Sequence, residues 1–259
     1  MEYLFNAEKL IQVKLMRAPR LHVALDYDGT LTPIVTDPRR ALLPQRTREM
    51  LQTLASNTHC LLTIVSGRCL SDLVKFVDVN RAYYVGNHGL EIRGPRFKFV
   101  HAEAKEISHH LPELSRAFNK RLAGTGASVE DKGLTLSVHY RNARQRSISK
   151  ILSTIRRVLR DYKRLEAVHG KKVVDVRPRV SWNKGMALEF LMQHLGRYPD
   201  VYVGDDRTDE YAFMRLKNAV TILVSPRPKV SAARYYLRST GDVARFLRLI
   251  NSWLQEGHR

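Results

Sequence analysis

Five short, almost unbroken apolar runs punctuate the chain, and each stops on a polar or glycine-rich step. Leu21 to Leu25 ends at Asp26, Leu61 to Val65 at Ser66-Gly67-Arg68, and Tyr83 to Val85 at Gly86-Asn87-His88-Gly89. Val201 to Val203 ends at Gly204-Asp205-Asp206, and Val220 to Val224 at Ser225-Pro226. Strands that are apolar on both faces must be covered on both faces, which is the condition of a parallel sheet wrapped by helices. The intervening segments supply those helices: Pro44 to Ser56, Cys69 to Val77, Gly185 to Leu195 closed by Gly196, and Thr208 to Leu216 with Thr208 as its N-cap. The expected fold is therefore α/β, a doubly wound parallel sheet of Rossmann-like form. In such sheets ligands bind at the carboxyl ends of the strands, where the polar steps lie.

Residues 104–178 break this rhythm. A helical pattern over Lys105 to Leu122 is followed by strand-like Leu134 to Tyr140, a second helix, and strand-like Lys172 to Val176. In that second helix Ile148, Ile151, Leu152, Ile155, Val158, Leu159 and Tyr162 share one face. The reading is an inserted α+β domain with its own antiparallel sheet, set into a core formed by 1–103 and 179–259. The insertion holds 17 Lys and Arg against 7 Asp and Glu, so it supplies +10 of the formal charge of +19.

At 259 residues, with 44% hydrophobic and 27% charged residues, the composition is that of a folded chain, and it excludes disorder as the main state. Cys60 and Cys69 are the sole cysteines, too few for a disulfide scaffold or a cysteine-based zinc site. Met1 to Arg20 carries charges through its apolar residues and reads as no secretion signal, and no apolar run reaches the roughly 18 residues of a spanning helix. A cytoplasmic protein with no membrane partner is expected, a monomer being the favoured state.

Asp26-Tyr27-Asp28-Gly29-Thr30 carries the sharpest chemical signal. Residues i and i+2 of an extended chain project to one side, so two carboxylates face one point at the sheet's end. That arrangement is tolerable when a divalent cation lies between them or one carboxyl is protonated. An Asp-rich turn in solvent is the plainer reading of Asp-x-Asp alone; the strand before it and Gly-Thr after it favour a site. Ser66-Gly67-Arg68 offers a hydroxyl, accessible N–H groups and a guanidinium, all donors to phosphate. Lys184 opens a helix where an ammonium can offset clustered carboxylates. Gly204-Asp205-Asp206-Arg207-Thr208-Asp209-Glu210 is a second acidic cluster; a favourable charge at a helix start explains Asp209 and Glu210 better than Asp205 and Asp206. Two such clusters are the usual hard-oxygen supply for Mg²⁺.

These elements, in this order, resemble the haloacid dehalogenase-like phosphohydrolases, and more specifically the trehalose-6-phosphate phosphatases, over almost the whole chain. The resemblance lies in Leu25 to Ile34, Gly86 to Glu91 and Gly204 to Glu210, and in the insertion in Glu130-Asp131-Lys132, Leu136 to Arg141 and Val174 to Pro178. It implies a haloacid dehalogenase core with an inserted cap that recognises sugar, and hydrolysis of trehalose 6-phosphate through an aspartyl-phosphate. Asp26 would be the nucleophile and Asp28 the acid/base, with Ser66 and Lys184 holding the phosphoryl group. Mg²⁺ would be bound by Asp26, the Asp28 carbonyl and Asp205, with Asp206 and Asp209 close by. Arg68, Asn87 and His88 of the core and Glu130, Lys132, Arg141, Lys171 and Asp175 of the cap would contact substrate. Asp175 stands where the family usually has Glu, one methylene shorter.

Two other readings stay open at this stage. One is a phosphatase for another sugar phosphate, such as sucrose phosphate or a glycosylglycerol phosphate. The other, less favoured, is nucleic-acid binding suggested by the basic charge; the basic residues lack the interleaved aromatics that stack on bases.

Overall fold

The computed structural model describes residues 1–35, 37–170, 172–196 and 200–256, which separate into two compact units. Met1–Phe99 with Trp182–Arg259 makes one, and Val100–Ser181 the other.

All five apolar runs are strands of one sheet in the first unit. Among the described residues its order is Glu2–Tyr3, Tyr235–Leu237, Val220–Val224, Val201–Gly204, Leu21–Asp26, Cys60–Val65, Tyr83–Gly86, Glu91–Gly94 and Phe97–Val100. The first seven run parallel and Glu91–Gly94 turns back antiparallel. Every residue of Leu21–Asp26 and of Cys60–Val65 is buried, because helices cover both faces. Val23, Leu25, Leu62 and Ile64 point into a core shared with Leu51, Leu54, Phe246 and Ile250. Ala24, Leu61 and Val65 point into the opposite core, with Leu188, Leu191 and Phe213. Each fully buried aliphatic side chain contributes roughly 1.5–3 kcal/mol against exposure, so both layers are needed to hold the strands.

From Leu21–Asp26 the chain winds first to Cys60–Val65 on one side, and only later to Val201–Gly204 on the other. The strand order therefore reverses between Leu21–Asp26 and Val201–Gly204, and a crevice opens at their carboxyl ends. Asp26 ends the first of those strands and Asp205 directly follows the second.

Helices form at Gln45–Ser56, Leu70–Val77 and Lys184–Leu195, the last closed by Gly196 in the left-handed conformation at φ 69°. Thr208 is not an N-cap. The helix is shorter, Glu210–Arg215, and Asp209 occupies the cap position. The Asp206 carboxylate takes over the capping role, accepting from the Thr208 and Asp209 N–H groups at 2.8 and 3.3 Å.

In the second unit four strands pair antiparallel in the order Ser128–Asp131, Leu136–His139, Val173–Pro178, Leu165–His169. Leu136, Val138, Val174 and Val176 pack with Leu114 and Phe118 of Leu111–Leu122 and Ile151 and Ile155 of Gln145–Leu159. The expected continuous helix from Lys105 is broken into Ala102–Ile107, a tight turn at Ser108–His110, and Leu111–Leu122. Pro112 accounts for the break: it has no N–H to give to the preceding turn, so it sits in the first turn of a new helix.

Candidate active site

Asp26 is the last residue of its strand, and its carboxylate is almost wholly buried. Its Oδ1 accepts from Lys184 Nζ at 2.7 Å. Lys184 is the first residue of its helix, likewise buried, and donates also to Asp209 Oδ1 at 2.9 Å. Asn183 fixes the start of that helix, its side chain accepting from Met186 N–H at 3.1 Å.

Asp209 accepts four hydrogen bonds. Lys184 and the Tyr202 hydroxyl donate to Oδ1, the latter at 2.7 Å, and the backbone N–H groups of Asp205 and Asp206 donate to Oδ2 at 3.0 and 3.1 Å. A carboxylate used so fully is a pin. It holds Lys184 on one side and, on the other, the loop that presents Asp205. Gly204 makes this possible, because a Cβ there would lie 2.3 Å from the Asp209 carboxyl carbon. Gly29, at φ +88°, has the same relation to Asp205: a Cβ would fall 2.2 Å from its Oδ2.

Oxygens of Asp26, Asp205 and Asp209 all lie within 4.8 Å of one another. With the four donors already on Asp209, the second oxygen of Asp26 and the Asp205 carboxylate remain for an incoming cation. Burial, reinforced by Asp209, Asp205 and Asp206, pushes the Asp26 carboxyl well above its usual range against the pull of Lys184. Burial and then Asp206 and Asp209 push Asp205 up to about 8. Burial works against the Lys184 charge, yet Asp209 and Asp26 hold its ammonium well above the ordinary value. Negative charge thus exceeds positive in a desolvated, all-oxygen cluster, and that donor set fits a divalent metal ion.

Asp28 stands apart from this cluster. Its two oxygens face the Arg68 guanidinium, which donates from Nε to Oδ2 at 2.8 Å and from its terminal nitrogen to Oδ1 at 2.6 Å. Ser66, also buried, lies beside them, its Oγ 3.5 Å from Asp28 Oδ2 and accepting from Arg68 N–H at 3.1 Å. The turn Asn87–Gly89 braces this loop: Asn87 N–H donates to the Arg68 carbonyl at 2.6 Å and His88 N–H to the Ser66 carbonyl at 3.0 Å. Asn87 and His88 adopt left-handed φ of 47° and 56°, and the His88 ring lies where a Cβ on Gly67 would be. Glu91 ties both parts, accepting from Asn87 Nδ2 at 2.7 Å and Leu70 N–H at 2.8 Å.

One bundle of parallel-strand ends thus presents a buried carboxylate beside an ammonium, a second carboxylate two residues on, and a hydroxyl. The sequence model of the trehalose-phosphatase family matches residues 24–240, spanning every one of these groups. The chain belongs to this family. Trehalose 6-phosphate phosphatase RA3 of Zea mays is 41% identical over 247 residues, 86% of this chain and 68% of that protein. Probable trehalose-phosphate phosphatase H of Arabidopsis thaliana is 37% identical over 263 residues, 93% and 74% of the two chains. Among solved structures, the C-terminal domain of the Candida albicans trehalose-6-phosphate phosphatase has a TM-score of 0.80 over 94% of this chain and 96% of that one. At 24% identity this last likeness concerns the fold.

The structure distributes the residues singled out in the sequence over two places. Asp26, Asp28, Ser66, Arg68, Asn87, His88, Lys184, Asp205, Asp206 and Asp209 all belong to the first unit, and the Asp206 side chain is spent on the Thr208 turn. Glu130, Lys132, Arg141 and Asp175 belong to the second, on or just beyond its sheet, while Lys171 lies outside the described residues. Glu130, Ser137 and Asp175 sit directly opposite one another across three strands. The Ser137 hydroxyl donates to Asp175, and Lys132 Nζ reaches the same oxygen at 3.5 Å. His139 Nε2 lies 2.7 Å from Glu130 Oε2. Four partners of these residues carried no role in the sequence reading: Tyr202 on Asp209, Glu91 on Asn87, Ser137 on Asp175 and His139 on Glu130, the last three lying within motifs it quoted. Tyr202 hides inside an apolar strand, and Ser137 and His139 alternate with Leu136 and Val138; period-two alternation in that strand is the signal that separates them from the core.

Proposed function

We propose that this chain hydrolyses trehalose 6-phosphate to trehalose and inorganic phosphate, with Mg²⁺ as its metal. The observation that carries the reading is the Asp26–Lys184 contact at 2.7 Å at the reversal point of the sheet, in a chain of the trehalose-phosphatase family. A carboxylate oxygen of Asp26 bonds to phosphorus as the bond to the sugar oxygen breaks, and Asp28 gives the sugar oxygen its proton. Water then bonds to phosphorus, the bond to Asp26 breaks with its electron pair returning to the carboxylate, and Asp28 receives the proton. Two displacements replace one, as in other catalysis by a carboxylate nucleophile. Lys184 and Ser66 face the phosphoryl oxygens and offset their charge, where most of the barrier reduction for phosphoryl transfer is found. Asp26, Asp205 and the Asp28 carbonyl would hold Mg²⁺, which supplies further charge neutralisation when bound.

Residues 104–178 form the sugar-recognising cap in this reading, with Glu130, Lys132, Arg141, Lys171 and Asp175 accepting or donating to sugar hydroxyls. Ser137 supports the shorter Asp175 by donating to it. Phosphate release from trehalose 6-phosphate, measured beside sucrose 6-phosphate and glucose 6-phosphate, tests the substrate. A preference for trehalose 6-phosphate of about 10² or more in kcat/KM is expected, since a site built to pair sugar hydroxyls penalises a mismatch. Equal rates on all three would remove the sugar assignment.

Metal binding should depend on pH in a defined direction. Asp205 is held neutral below about 8, whereas the cation requires the carboxylate, so binding below that pH releases a proton. Mg²⁺ affinity should rise by about tenfold or more per pH unit from pH 6 to pH 8, because Asp26, also held above its usual range, must be ionised as well. Calorimetry in buffers of different ionisation enthalpy reads both the affinity and the released proton. A flat profile would contradict the role given to Asp205.

A further inference from the structure

We infer that Arg68 is a positioning residue for Asp28 and not a contact for the sugar. Both of its inward-facing nitrogens are committed to the two Asp28 oxygens, at 2.8 and 2.6 Å, the fork geometry that fixes a carboxylate in plane as well as in place. Arg68 is itself held rigidly. Its guanidinium carbon lies 5.3 Å from the Tyr27 ring centroid and 5.0 Å from that of Phe76, and only 10% of its side chain is exposed, against 39% for Asp28. Tyr27 is anchored in turn by its hydroxyl, which donates to the Ala41 carbonyl at 2.7 Å. The Arg68 carbonyl accepts from Asn87 and its N–H donates to Ser66, so backbone and side chain are both fixed. Asp28 is the more exposed partner of the pair, and Arg68 selects where it points.

This rests on the reading of Asp28 as the proton carrier. In the fork both Asp28 oxygens act as acceptors, the arrangement suited to receiving a proton from water, so the dependent step is the second one. There water's oxygen bonds to phosphorus, the phosphorus bond to Asp26 breaks with its electrons returning to that carboxylate, and the water proton passes to Asp28. A misplaced Asp28 slows this step and leaves the enzyme phosphorylated.

The test is steady-state and quenched-flow kinetics on Arg68→Gln, Arg68→Lys and Asp28→Asn with trehalose 6-phosphate. Arg68→Gln should lower kcat by about 10 to 10²-fold, the cost of misplacing a reacting group, while KM changes less than about threefold and phosphorylated enzyme accumulates. Arg68→Lys, which keeps the charge but loses the fork, should show the same signature to a smaller extent. Should Arg68→Gln fail to fold, Phe76→Leu, which removes one ring from the guanidinium, must still lower kcat with KM held. A rise in KM of about tenfold with kcat preserved, or no change in either, would overturn the inference while leaving the hydrolysis reading intact. Normal turnover by Asp28→Asn would instead overturn the reading on which it rests.

Discussion

Replacing Asp26 by Asn is expected to lower kcat by about 10⁴-fold or more while the protein stays folded. An amide oxygen can still accept from Lys184, and the side chain keeps its size and shape in a buried position. In the proposed mechanism what is lost is the nucleophile, and removal of a covalent nucleophile is among the largest single-residue effects known in enzymes. The variant also carries one negative charge fewer inside a cluster that already has too many, so its metal-free form should be no less stable than the parent. Circular dichroism and thermal unfolding, run beside phosphate release, separate lost chemistry from lost structure. Appreciable turnover by a purified, folded Asp26→Asn protein would contradict the mechanism.

Replacing Lys184 by Met is expected to damage both stability and rate. The ammonium is the sole cation hydrogen-bonded to Asp26 and Asp209 among the described residues, and all three groups are buried. Its removal leaves two desolvated carboxylates facing each other, and breaking a buried ion pair from one side costs about 3–5 kcal/mol. The loss should be largest at neutral to alkaline pH without metal, where the carboxylates would otherwise have to ionise, and saturating Mg²⁺ should recover part of it. Loss of one charged donor to the phosphoryl group should cost a further 10²–10³-fold or so in kcat. Denaturant unfolding with and without Mg²⁺ reads the first effect and phosphate release the second. Unchanged stability in metal-free buffer would mean that the Asp26–Lys184–Asp209 charge balance is misread.

Much of this site could be read from the sequence because its parts sit at the ends of strands buried on both faces. Leu21 to Leu25 and Val201 to Val203 have no polar alternation to confuse the reading, so Asp26 and Asp205 stand out as abrupt stops. The edges of the sheet were illegible for the opposite reason. Glu2–Tyr3 and Tyr235–Leu237 are two and three residues long, too short for any period, and they exist because each pairs with a neighbour supplied by the fold. Ser128–Asp131 carries two acidic residues and has low intrinsic preference for a strand; its pairing with Leu136–His139 overrides that preference. Helix boundaries shifted where side chains competed with the backbone, as Asp206 does in displacing Thr208 from the cap.

The Arg68–Asp28 fork illustrates a different limit. Arg68 and Asp28 are 40 positions apart on separate strand ends, and each has a sensible role alone, a cation for substrate and a carboxyl for protons. Only the parallel pairing of Leu21–Asp26 with Cys60–Val65, Asp26 opposite Val65, places them side by side. Likewise, nothing local in Val201–Gly204 marks Tyr202 as a partner of Asp209; the contact depends on the loop folding back through Gly204.

The central claim is that Asp26 carries the phosphoryl group between the two displacements. Acid quenching during turnover of trehalose 6-phosphate, borohydride reduction and peptide mapping test it directly, because an acyl phosphate is reduced to the alcohol and a free carboxylate is not. Homoserine at position 26, absent without substrate, is the predicted result. Phosphate release at full rate with position 26 unmodified under conditions that trap acyl phosphates would contradict the account.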